Sequence, residues 1–481
     1  MNIAMICRIL GLTLGVEAAF MVPALAMALV RGESGAAFGF GAAIALTLLL
    51  AALSRCVRAK RREYYAREGF VTVGLSWILL SALGALPFYL SGAVPSYIDA
   101  FFETVSGFTT TGASILPDVE ALPKSLLYWR SFTVWLGGMG VLVFVLAVSP
   151  MSAGDSGDTL HLLRAESPGV NVGKLVPRMR RSTSILYLIY IAMTVLMFVM
   201  LVFDMPVFDA LTTAFATAGT GGFSIRNAGM GVYSTYSQTV ITVFMILFSI
   251  NFTLYYLVLI GRVRQALRSE ELWGFLGILF LASLAIAVNI LPIFGSFGAS
   301  FHQAIFTAAS MMSTAGFAIS DFNFWPWFSQ TVLILLMFVG ACAGSTGGGI
   351  KIVRILIAAK LARRGIQRAI HPQQIRCLHM DGEALDEDTC QSVSAFLLVY
   401  VLLFAALVLL LALDGLDFVT TFSAAASCFN NVGPGLGLAG PMSNYGCFSP
   451  FGKLLLSFAM LFGRLELYPM LFLFIPSVWR K

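Results

Sequence analysis

The chain has 481 residues, of which 58% are hydrophobic and only 11% charged, and its formal net charge is +6. Soluble domains carry about 25% charged residues, so this composition excludes a string of soluble domains and gives no reason to expect nucleic-acid binding. Apolar runs long enough to cross about 30 Å of hydrocarbon recur along the whole chain. The sequence therefore predicts an all-α polytopic membrane protein.

The apolar runs predict ten membrane-spanning helices. Their expected bounds are 8–30, 37–54, 70–91, 129–150, 183–204, 236–260, 273–294, 331–360, 392–413 and 452–476. The first run is longer than the apolar core of a secretory signal peptide, and a second span follows at once. We therefore interpret it as a membrane helix of the mature protein.

Lysines and arginines collect on one side of these spans. They lie in the segments 55–67, 164–181, 262–268, 351–376 and 480–481, which share one face if the spans alternate. The opposite face keeps only Arg31, Lys124, Arg130, Arg226 and Lys453. The positive-inside rule then places both termini in the cytoplasm.

The outer face has an excess of acidic residues. Ten of them stand against those five bases: Glu33, Asp99, Glu103, Asp118, Glu120, Asp204, Asp209, Asp321, Asp414 and Asp417. An anionic mouth concentrates cations near an entrance, although ordinary solvated loops explain the same bias.

Four stretches on the outer side are too short to span the membrane and too apolar to be plain loops. They end in Thr-Thr-Thr-Gly112, Gly-Thr-Gly-Gly222, Ser-Thr-Ala-Gly316 and Asn-Asn-Val-Gly433. These terminal glycines lie 110, 94 and 117 residues apart. The pattern predicts four pseudo-symmetric helix–pore loop–helix repeats around a central pore, plus two extra N-terminal helices.

The physics of such a repeat points to a cation filter. Non-helical backbone at membrane depth is tolerated only where it lines a cavity or is buried in protein. Glycine and small residues at the apex let the backbone aim its carbonyls at a common axis. Four such loops form rings of carbonyl oxygens that replace an ion's hydration shell, and the negative ends of the four helix dipoles favour a cation.

The four loops resemble the filter loops of the Trk/Ktr/HKT superfamily of potassium transporters, most closely those of the membrane subunit of bacterial Trk potassium-uptake systems. Other segments agree: Trp135-Leu-Gly-Gly-Met-Gly140, Leu163-Arg-Ala-Glu-Ser-Pro168, Ala343-Gly-Ser-Thr-Gly-Gly-Gly-Ile-Lys351 and Phe462-Gly-Arg-Leu-Glu466. The resemblance runs from about residue 70 to the end. It implies a single-chain pseudo-tetrameric pore, a homodimer in membrane lipid, and a cytoplasmic nucleotide-binding regulatory ring.

The resemblance also implies which residues hold potassium, the only metal ion expected, with no covalently bound cofactor. They are Thr110, Thr111, Gly112, Thr220, Gly221, Gly222, Thr314, Ala315, Gly316, Asn431, Val432 and Gly433. The fourth loop departs from the regular pattern, since Asn430 and Asn431 replace threonines. Looser selectivity than in a channel with four identical loops is therefore expected.

The repeats divide the chain into five units. The N-terminal helix pair and its basic loop occupy residues 1–69, pore repeat 1 occupies 70–160, and pore repeat 2 occupies 161–271. Pore repeat 3, with the gating loop, occupies 272–379, and pore repeat 4 occupies 380–481.

A glycine-dense segment at 341–349 interrupts the eighth apolar run. Each glycine costs a helix about 1 kcal/mol, and broken helices in transporters mark the transport path. We predict a movable gating loop below the filter, formed by Ala343, Gly344, Ser345, Thr346, Gly347, Gly348 and Gly349. A structural kink is the alternative.

Arg464 lies inside the last predicted span, where a guanidinium is costly and normally faces a cavity or a partner. As a pore barrier, its charge would oppose a potassium ion dwelling in the inner cavity. The alternative is a structural arginine that binds carbonyls between helices. Glu466 lies on another face of the same helix and is a poor partner for it.

The leading prediction is potassium uptake, and a sodium-coupled or sodium-permeable transporter of the same superfamily is the alternative. Channel and proton-symport mechanisms both stay open. A membrane-embedded enzyme is disfavoured because the sequence offers no zinc motif and no Ser-His-Asp set. His371, Cys377 and His379 lie close together but lack a fourth metal ligand. A nucleotide-binding Walker motif is disfavoured as well. Gly344 and Gly349 have its spacing, but Ile350 precedes Lys351 and no Ser or Thr follows that lysine.

Overall fold

The computed structural model describes residues 2–57, 66–140, 179–371 and 377–479. Its N-terminal pair is a helical hairpin of α1 (Ile3–Arg31) and α2 (Ser34–Arg55). The side chain of Asn2 accepts a hydrogen bond from the Met5 amide at 3.2 Å and so caps the start of α1. Gly32, with φ of 71°, ends α1 and begins the turn. The hairpin packs against the first repeat.

Four repeats follow, each with an outer helix, a short pore helix and an inner helix. Repeat 1 has α3 (Ala66–Gly84), α4 (Leu86–Leu90), pore helix α5 (Tyr97–Phe108) and α6 (Lys124–Gly138). Repeat 2 has α7 (Met179–Val202), pore helix α8 (Val207–Ala218), α9 (Thr235–Ser249), α10 (Phe252–Leu259) and α11 (Val263–Ala266).

The other two repeats have the same order. Repeat 3 has α12 (Glu270–Phe294), pore helix α13 (Phe297–Met312), α14 (Trp327–Val339) and α15 (Ile352–Ile370). Repeat 4 has α16 (Glu387–Leu411), pore helix α17 (Phe418–Phe429), α18 (Pro450–Arg464), α19 (Tyr468–Phe474) and α20 (Pro476–Trp479). An antiparallel hairpin of β1 (His379–Met380) and β2 (Glu383–Ala384) lies between them. The predicted domain boundary at 379/380 therefore divides β1, and the one at 160/161 lies outside the described residues.

The prediction of continuous spans at 236–260 and 452–476 is wrong. In the described part of the chain, six helices are long and apolar enough to cross a membrane, or seven if α9 and α10 count as one bent span. The inner helices α6, α9 and α18 have 15 residues each and α14 has 13. At 1.5 Å per residue they reach about 20 Å, which is short of the roughly 30 Å hydrocarbon core.

Two of the predicted inner spans are broken by sharp changes of chain direction. The predicted span 236–260 is broken, because α9 and α10 meet at an angle of 89°. The predicted span 452–476 is broken after Arg464, where Glu466 and Leu467 take φ of 53° and 71°. The span at 331–360 is interrupted, as predicted. Of the span at 129–150, α6 is observed to Gly138, and residues 141–150 lie outside the description.

Two apolar clusters form the interior. One joins the N-terminal pair to repeats 1 and 4 through side chains such as Trp77, Phe102 and Met460. The other joins repeats 2 and 3 through side chains such as Phe248 and Phe306. The pore helices contribute side chains to these clusters, α5 and α17 to the first and α8 and α13 to the second, which holds them at fixed positions.

Candidate cation filter and gate

All four pore helices end in the same backbone motif. In repeat 1 the amides of Thr110 and Thr111 donate to the carbonyls of Gly107 and Ser106 at 3.0 and 2.8 Å. This is the paired arrangement of a Schellman motif, which satisfies the last carbonyls of a helix. The equivalent amides in the other loops are bonded in the same way: Thr220, Gly221, Thr314, Ala315, Asn431 and Val432.

The motif places four residues that are not glycine in the left-handed region. Thr110, Thr220, Thr314 and Asn431 have φ of 55°, 54°, 60° and 56°. Such a conformation costs an ordinary residue about 1–2 kcal/mol, and strain of this kind collects at functional sites. The sequence analysis expected unusual dihedrals of glycine and small residues at the apex but did not single out these four positions, because threonine rarely adopts the left-handed conformation.

The terminal glycines show that the loops close into a ring. Gly112, Gly222, Gly316 and Gly433 all have positive φ, from 59° to 111°. A Cβ on each of them would collide with a carbonyl oxygen of the next loop: Gly221 for Gly112, Ala315 for Gly222, Val432 for Gly316 and Thr111 for Gly433. The contacts run from loop 1 through loop 4 and back to loop 1. Glycine is therefore required here by close approach as well as by φ.

This ring has the chemistry of an ion filter. Four short helices point their C-termini at one centre, where their dipoles favour a positive charge. Beyond them, extended backbone presents carbonyl oxygens that can replace water around a cation. The twelve residues implied by the resemblance are thus brought together, in three positions on each of four loops.

The fourth loop uses its two asparagines differently. Asn430 faces away from the ring, since its side-chain oxygen accepts a hydrogen bond from the Tyr400 hydroxyl at 2.7 Å. Asn431 braces neighbouring elements instead, because its amide donates to Thr111 Oγ1 at 2.9 Å and to the Met460 carbonyl at 2.8 Å. The asparagines therefore tie loop 4 to α16, α18 and loop 1.

The predicted gating loop lies directly beneath this ring, between α14 and α15. The amide of Gly348 donates to Thr314 Oγ1 at 2.6 Å, so the loop contacts a filter residue. A Cβ on Gly347 would lie 2.8 Å from the Ser313 carbonyl oxygen, and one on Gly348 would lie 2.5 Å from that of Asn430. Only glycine fits so closely under the ends of pore helices 3 and 4.

The gating loop fills the break between α9 and α10. The amide of Cys342 donates to the Ser249 carbonyl, and the Phe252 amide donates to the Gly344 carbonyl, both at 3.0 Å. Ala343 donates its amide to Glu271 Oε1 at 2.6 Å. Groups of repeats 2 and 3 and of the filter therefore satisfy the backbone of this loop.

Two cations bind the loop from below. Lys351 donates its ammonium group to the Gly347 carbonyl. Arg464 donates to the Thr346 carbonyl at 2.7 Å and to those of Gly137 and Gly138 at 2.5 and 2.7 Å. Arg464 therefore has the carbonyl contacts of the structural alternative, and its position places its charge beside the gating loop.

Glu466 lies beyond the end of α18, so the expectation that it sits on another face of the same helix is wrong. It forms an ion pair with Arg354 of α15. The Arg354 guanidinium also lies 4.1 Å from the ring centroid of Phe396 in α16. This pair joins the end of repeat 4 to the helix that follows the gating loop.

A buried ion pair that sequence reasoning missed supports the filter from outside. Arg130 Nε lies 2.6 Å from Glu103 Oε1, and both side chains are almost fully buried. Arg130 also donates to the Ser224 carbonyl at 2.7 Å, just after the second filter loop, and its guanidinium lies 3.6 Å from the Phe223 ring centroid. The sequence shows both charged residues at the edges of apolar runs, but it does not show that Arg130 pairs with Glu103.

The outer acids are mostly structural. Asp99 pairs with Lys453 at 2.7 Å and Asp209 with Arg226 at 3.1 Å. Hydrogen bonds from the side chain and amide of Thr420 hold the pKa of Asp417 below its ordinary value, since this carboxylate caps α17. Among the described residues, those lining the outer vestibule include Arg130 and Arg226 and no carboxylate. The acidic excess therefore does not form the vestibule wall.

Replacing Arg130 with glutamine should destabilise the protein strongly. The change leaves the Glu103 carboxylate buried without its counter-charge, which costs about 3–5 kcal/mol. The free energy of unfolding, measured in mixed detergent micelles, reports this loss. Glu120→Gln, which removes a half-exposed partner of Arg226, should leave stability nearly unchanged. Equal effects of the two changes would contradict the role assigned to the buried pair.

The structure also bears on the disfavoured metal site and on the cysteines. No group of three His, Cys, Asp or Glu residues in the described ranges could hold a metal ion, so His371, Cys377 and His379 do not form a site there. All seven cysteines are free thiols. The Leu163–Pro168 segment lies outside the described residues.

Four re-entrant helices with a closed ring of carbonyl-bearing loops define a pore-loop membrane transport protein. A family model described as the cation transport protein TrkH matches residues 37–481. The chain belongs to this TrkH family.

Curated relatives and a solved structure agree with this assignment. The Trk system potassium uptake protein TrkH of Salmonella typhimurium is 36% identical over 492 residues, and the alignment covers all of both chains. The Trk system potassium uptake protein TrkG of Escherichia coli is 35% identical over 86% of each chain. The crystal structure of the potassium transporter TrkH from Vibrio parahaemolyticus superposes with a TM-score of 0.89 at 33% identity, over the full length of both chains. These relatives are transport proteins, so the chain is not an enzyme.

Proposed function

We propose that this chain is the potassium-conducting membrane subunit of a Trk-type uptake system in the bacterial inner membrane. The main support is the closed ring of contacts between the loops. Each terminal glycine packs against a carbonyl of the next loop: Gly112, Gly222, Gly316 and Gly433. The names of the relatives, which are potassium uptake proteins of Trk systems, support potassium as the cargo.

In the proposed mechanism a potassium ion loses its water to the ring of carbonyls and then passes toward the cytoplasm. The four helix C-termini stabilise it there without any covalent step. The three threonines and Asn431 at the inner end of the ring differ in their partners. Thr110 Oγ1 has no hydrogen-bond partner in the described chain, whereas Thr314 Oγ1 is bound by Gly348. The ring is thus less regular than four identical loops, which supports modest selectivity over sodium.

The gating loop is the proposed barrier. It lies under the filter, it is held by hydrogen bonds rather than by a continuous helix, and Lys351 and Arg464 place positive charge beside it. Positive charge on the path opposes a dwelling cation. Opening requires the loop to leave the Thr314 hydroxyl and the break between α9 and α10.

The proposed regulator is a cytoplasmic nucleotide-binding ring that acts on a homodimer of this chain. The amphipathic helix α15 and the segment around α11 carry exposed arginines, such as Arg264, Arg268, Arg363 and Arg368. With both termini in the cytoplasm, these helices form a basic surface suited to an acidic soluble partner. The word "system" in the relatives' names supports assembly with further components.

Uptake of rubidium or potassium into proteoliposomes tests this function. The chain reconstituted with its cognate soluble subunit should take up the ion above protein-free vesicles, and sodium should compete less effectively than potassium. Uptake that follows a pH gradient would identify proton symport, and uptake that ignores it a channel. Equal transport of sodium and potassium would favour the sodium-permeable alternative, and no flux of either ion would contradict the proposal.

A further inference from the structure

Glu17 lies in the middle of α1, and nothing in the proposed transport mechanism uses it. Its side chain is buried, with 1% of the residue exposed. Neither carboxyl oxygen has a hydrogen-bond partner in the described chain. Two other buried glutamates differ in this respect, since Glu103 is paired with Arg130 and Glu466 with Arg354.

The carboxyl group lies where α1 and α3 meet pore helix α5. A Cβ placed on Gly84, the last residue of α3, would lie 3.2 Å from Glu17 Oε1. The same point is 3.0 Å from Thr104 Cγ2 and 2.9 Å from the Phe108 ring. Thr104 and Phe108 belong to the second half of pore helix α5. Glu17 therefore contributes a polar group to a tightly packed junction directly behind the first filter loop.

Among the residues that the structure describes, no opposite charge pairs with Glu17 at this junction. The charged or titratable groups on α1 and on the helices packed around it are Arg8, Arg31, Arg55, Arg67, Glu68, Tyr89, Tyr97, Asp99, Glu103, Lys124, Tyr128 and Arg130, together with Cys7. Arg8 and Arg31 lie about 14 and 21 Å away along α1, at 1.5 Å per residue. Arg130 is held by Glu103, and Asp99 by Lys453. None of the ion pairs of the described residues includes Glu17.

An ionised carboxylate in such a place is unstable. Moving an unpaired charge into an apolar interior costs many kcal/mol, so the group neutralises instead. A charge here would also lie near the C-terminal end of pore helix α5, where the helix dipole is already negative. The neutral acid, by contrast, fits between Gly84 and the pore helix without a counter-ion.

We propose that Glu17 is a proton-binding site: a carboxylic acid that keeps its proton at neutral pH in the folded chain and joins the N-terminal helix pair to pore helix α5. The ligand is a single proton, and the site is separate from the ion path. Glutamine has the shape of the neutral acid, so Glu17→Gln should preserve folding and rubidium uptake.

Infrared spectroscopy of the purified chain in D2O tests this site without relying on transport. At mildly alkaline pH, exposed carboxyl groups are ionised, and an un-ionised acid gives a separate carbonyl stretching band. This band should be present in the wild-type chain and lost in Glu17→Gln. Glu120→Gln, a change at a half-exposed carboxylate, is the matched control and should retain the band.

Identical spectra of the wild-type chain and a folded Glu17→Gln variant in this region would overturn the proposal. If the glutamine variant does not fold, Glu17→Asp serves instead, because it keeps the acid but moves it by one methylene group. The band should then shift in frequency. An unshifted band in Glu17→Asp would show that it arises from another residue and would equally overturn the assignment.

Discussion

Replacing Gly112 with alanine is expected to lower the selectivity for potassium over sodium by about tenfold or more. The new Cβ would collide with the Gly221 carbonyl oxygen of the next loop, so the ring must open or that carbonyl must turn away. Displacing one ligand by enough to change relative binding by about 1.4 kcal/mol already accounts for a tenfold change. Rubidium uptake into proteoliposomes, measured against increasing sodium, gives the selectivity directly.

Gly92→Ala is a close control for this change. Gly92 has φ of 76°, against 78° for Gly112, so alanine meets the same backbone strain at both positions. No atom lies within 4 Å of a Cβ at Gly92, however. The control should therefore lose a little stability and keep wild-type selectivity. If Gly112→Ala also keeps wild-type selectivity at normal expression, loop 1 is not part of the filter.

The fourfold architecture was predictable because each repeat leaves its own local signal. An apolar stretch too short to span, ending in glycine, recurs before Gly112, Gly222, Gly316 and Gly433. Backbone that returns from mid-membrane needs small residues and a partner to satisfy it. Each repeat meets these requirements with its own neighbouring residues, so the four repeats can be recognised from a single sequence.

The breaks within the predicted spans 236–260 and 452–476 could not be predicted in the same way. Residues 236–260 form a nearly continuous apolar run, and the local mark beside Ile250 is a single polar residue, Asn251, which caps α10. The break exists because its free backbone groups are bonded to Cys342 and Gly344, about ninety residues further along the chain. An apolar run shows that a segment lies in the membrane, but it does not show whether its helix ends before crossing.

The charged residues around the pore were likewise predictable only in part. Each could be recognised as costly in or near an apolar run, yet its partner depended on the folded geometry. Arg464 binds carbonyls of repeats 1 and 3, and Arg130 binds Glu103 and the Ser224 carbonyl behind the filter. The sequence therefore identified which charged residues need partners, and the contacts between repeats determine which partner each of them binds.

Deleting Gly347–Gly349 is expected to open the pore in the absence of the regulatory subunit. The deletion removes the Gly348 amide from Thr314 and the Gly347 carbonyl from Lys351. A neutral hydrogen bond contributes about 0.5–1.5 kcal/mol and one to a charged group about 1.5–3 kcal/mol, so the closed state should weaken by at least about tenfold relative to the open state. Basal rubidium flux into proteoliposomes should rise by a similar factor and no longer respond to the subunit.

A pair of adjacent substitutions controls for general damage to α12. Glu271→Gln weakens the acceptor of the Ala343 amide and should raise basal flux, though less than the deletion. Glu270→Gln alters the neighbouring residue, which binds Lys360 and the Asp381 amide away from the gating loop, and should leave flux unchanged. Equal effects of the two would mean that the loop is not held through Glu271.

Arg464→Ala, alone and combined with the deletion, separates the two roles open to this arginine. Alone it should raise basal flux, because it releases the Thr346 carbonyl and removes a positive charge from beside the path. Residues that act through a shared partner give non-additive effects. If Arg464 acts only by holding the gating loop, adding the substitution to the deletion should change nothing further. We expect an additional rise instead, since a charge near the ion opposes it whether or not the loop is in place. A deletion that folds normally but leaves both flux and regulation at wild-type levels would show that the segment is only a kink.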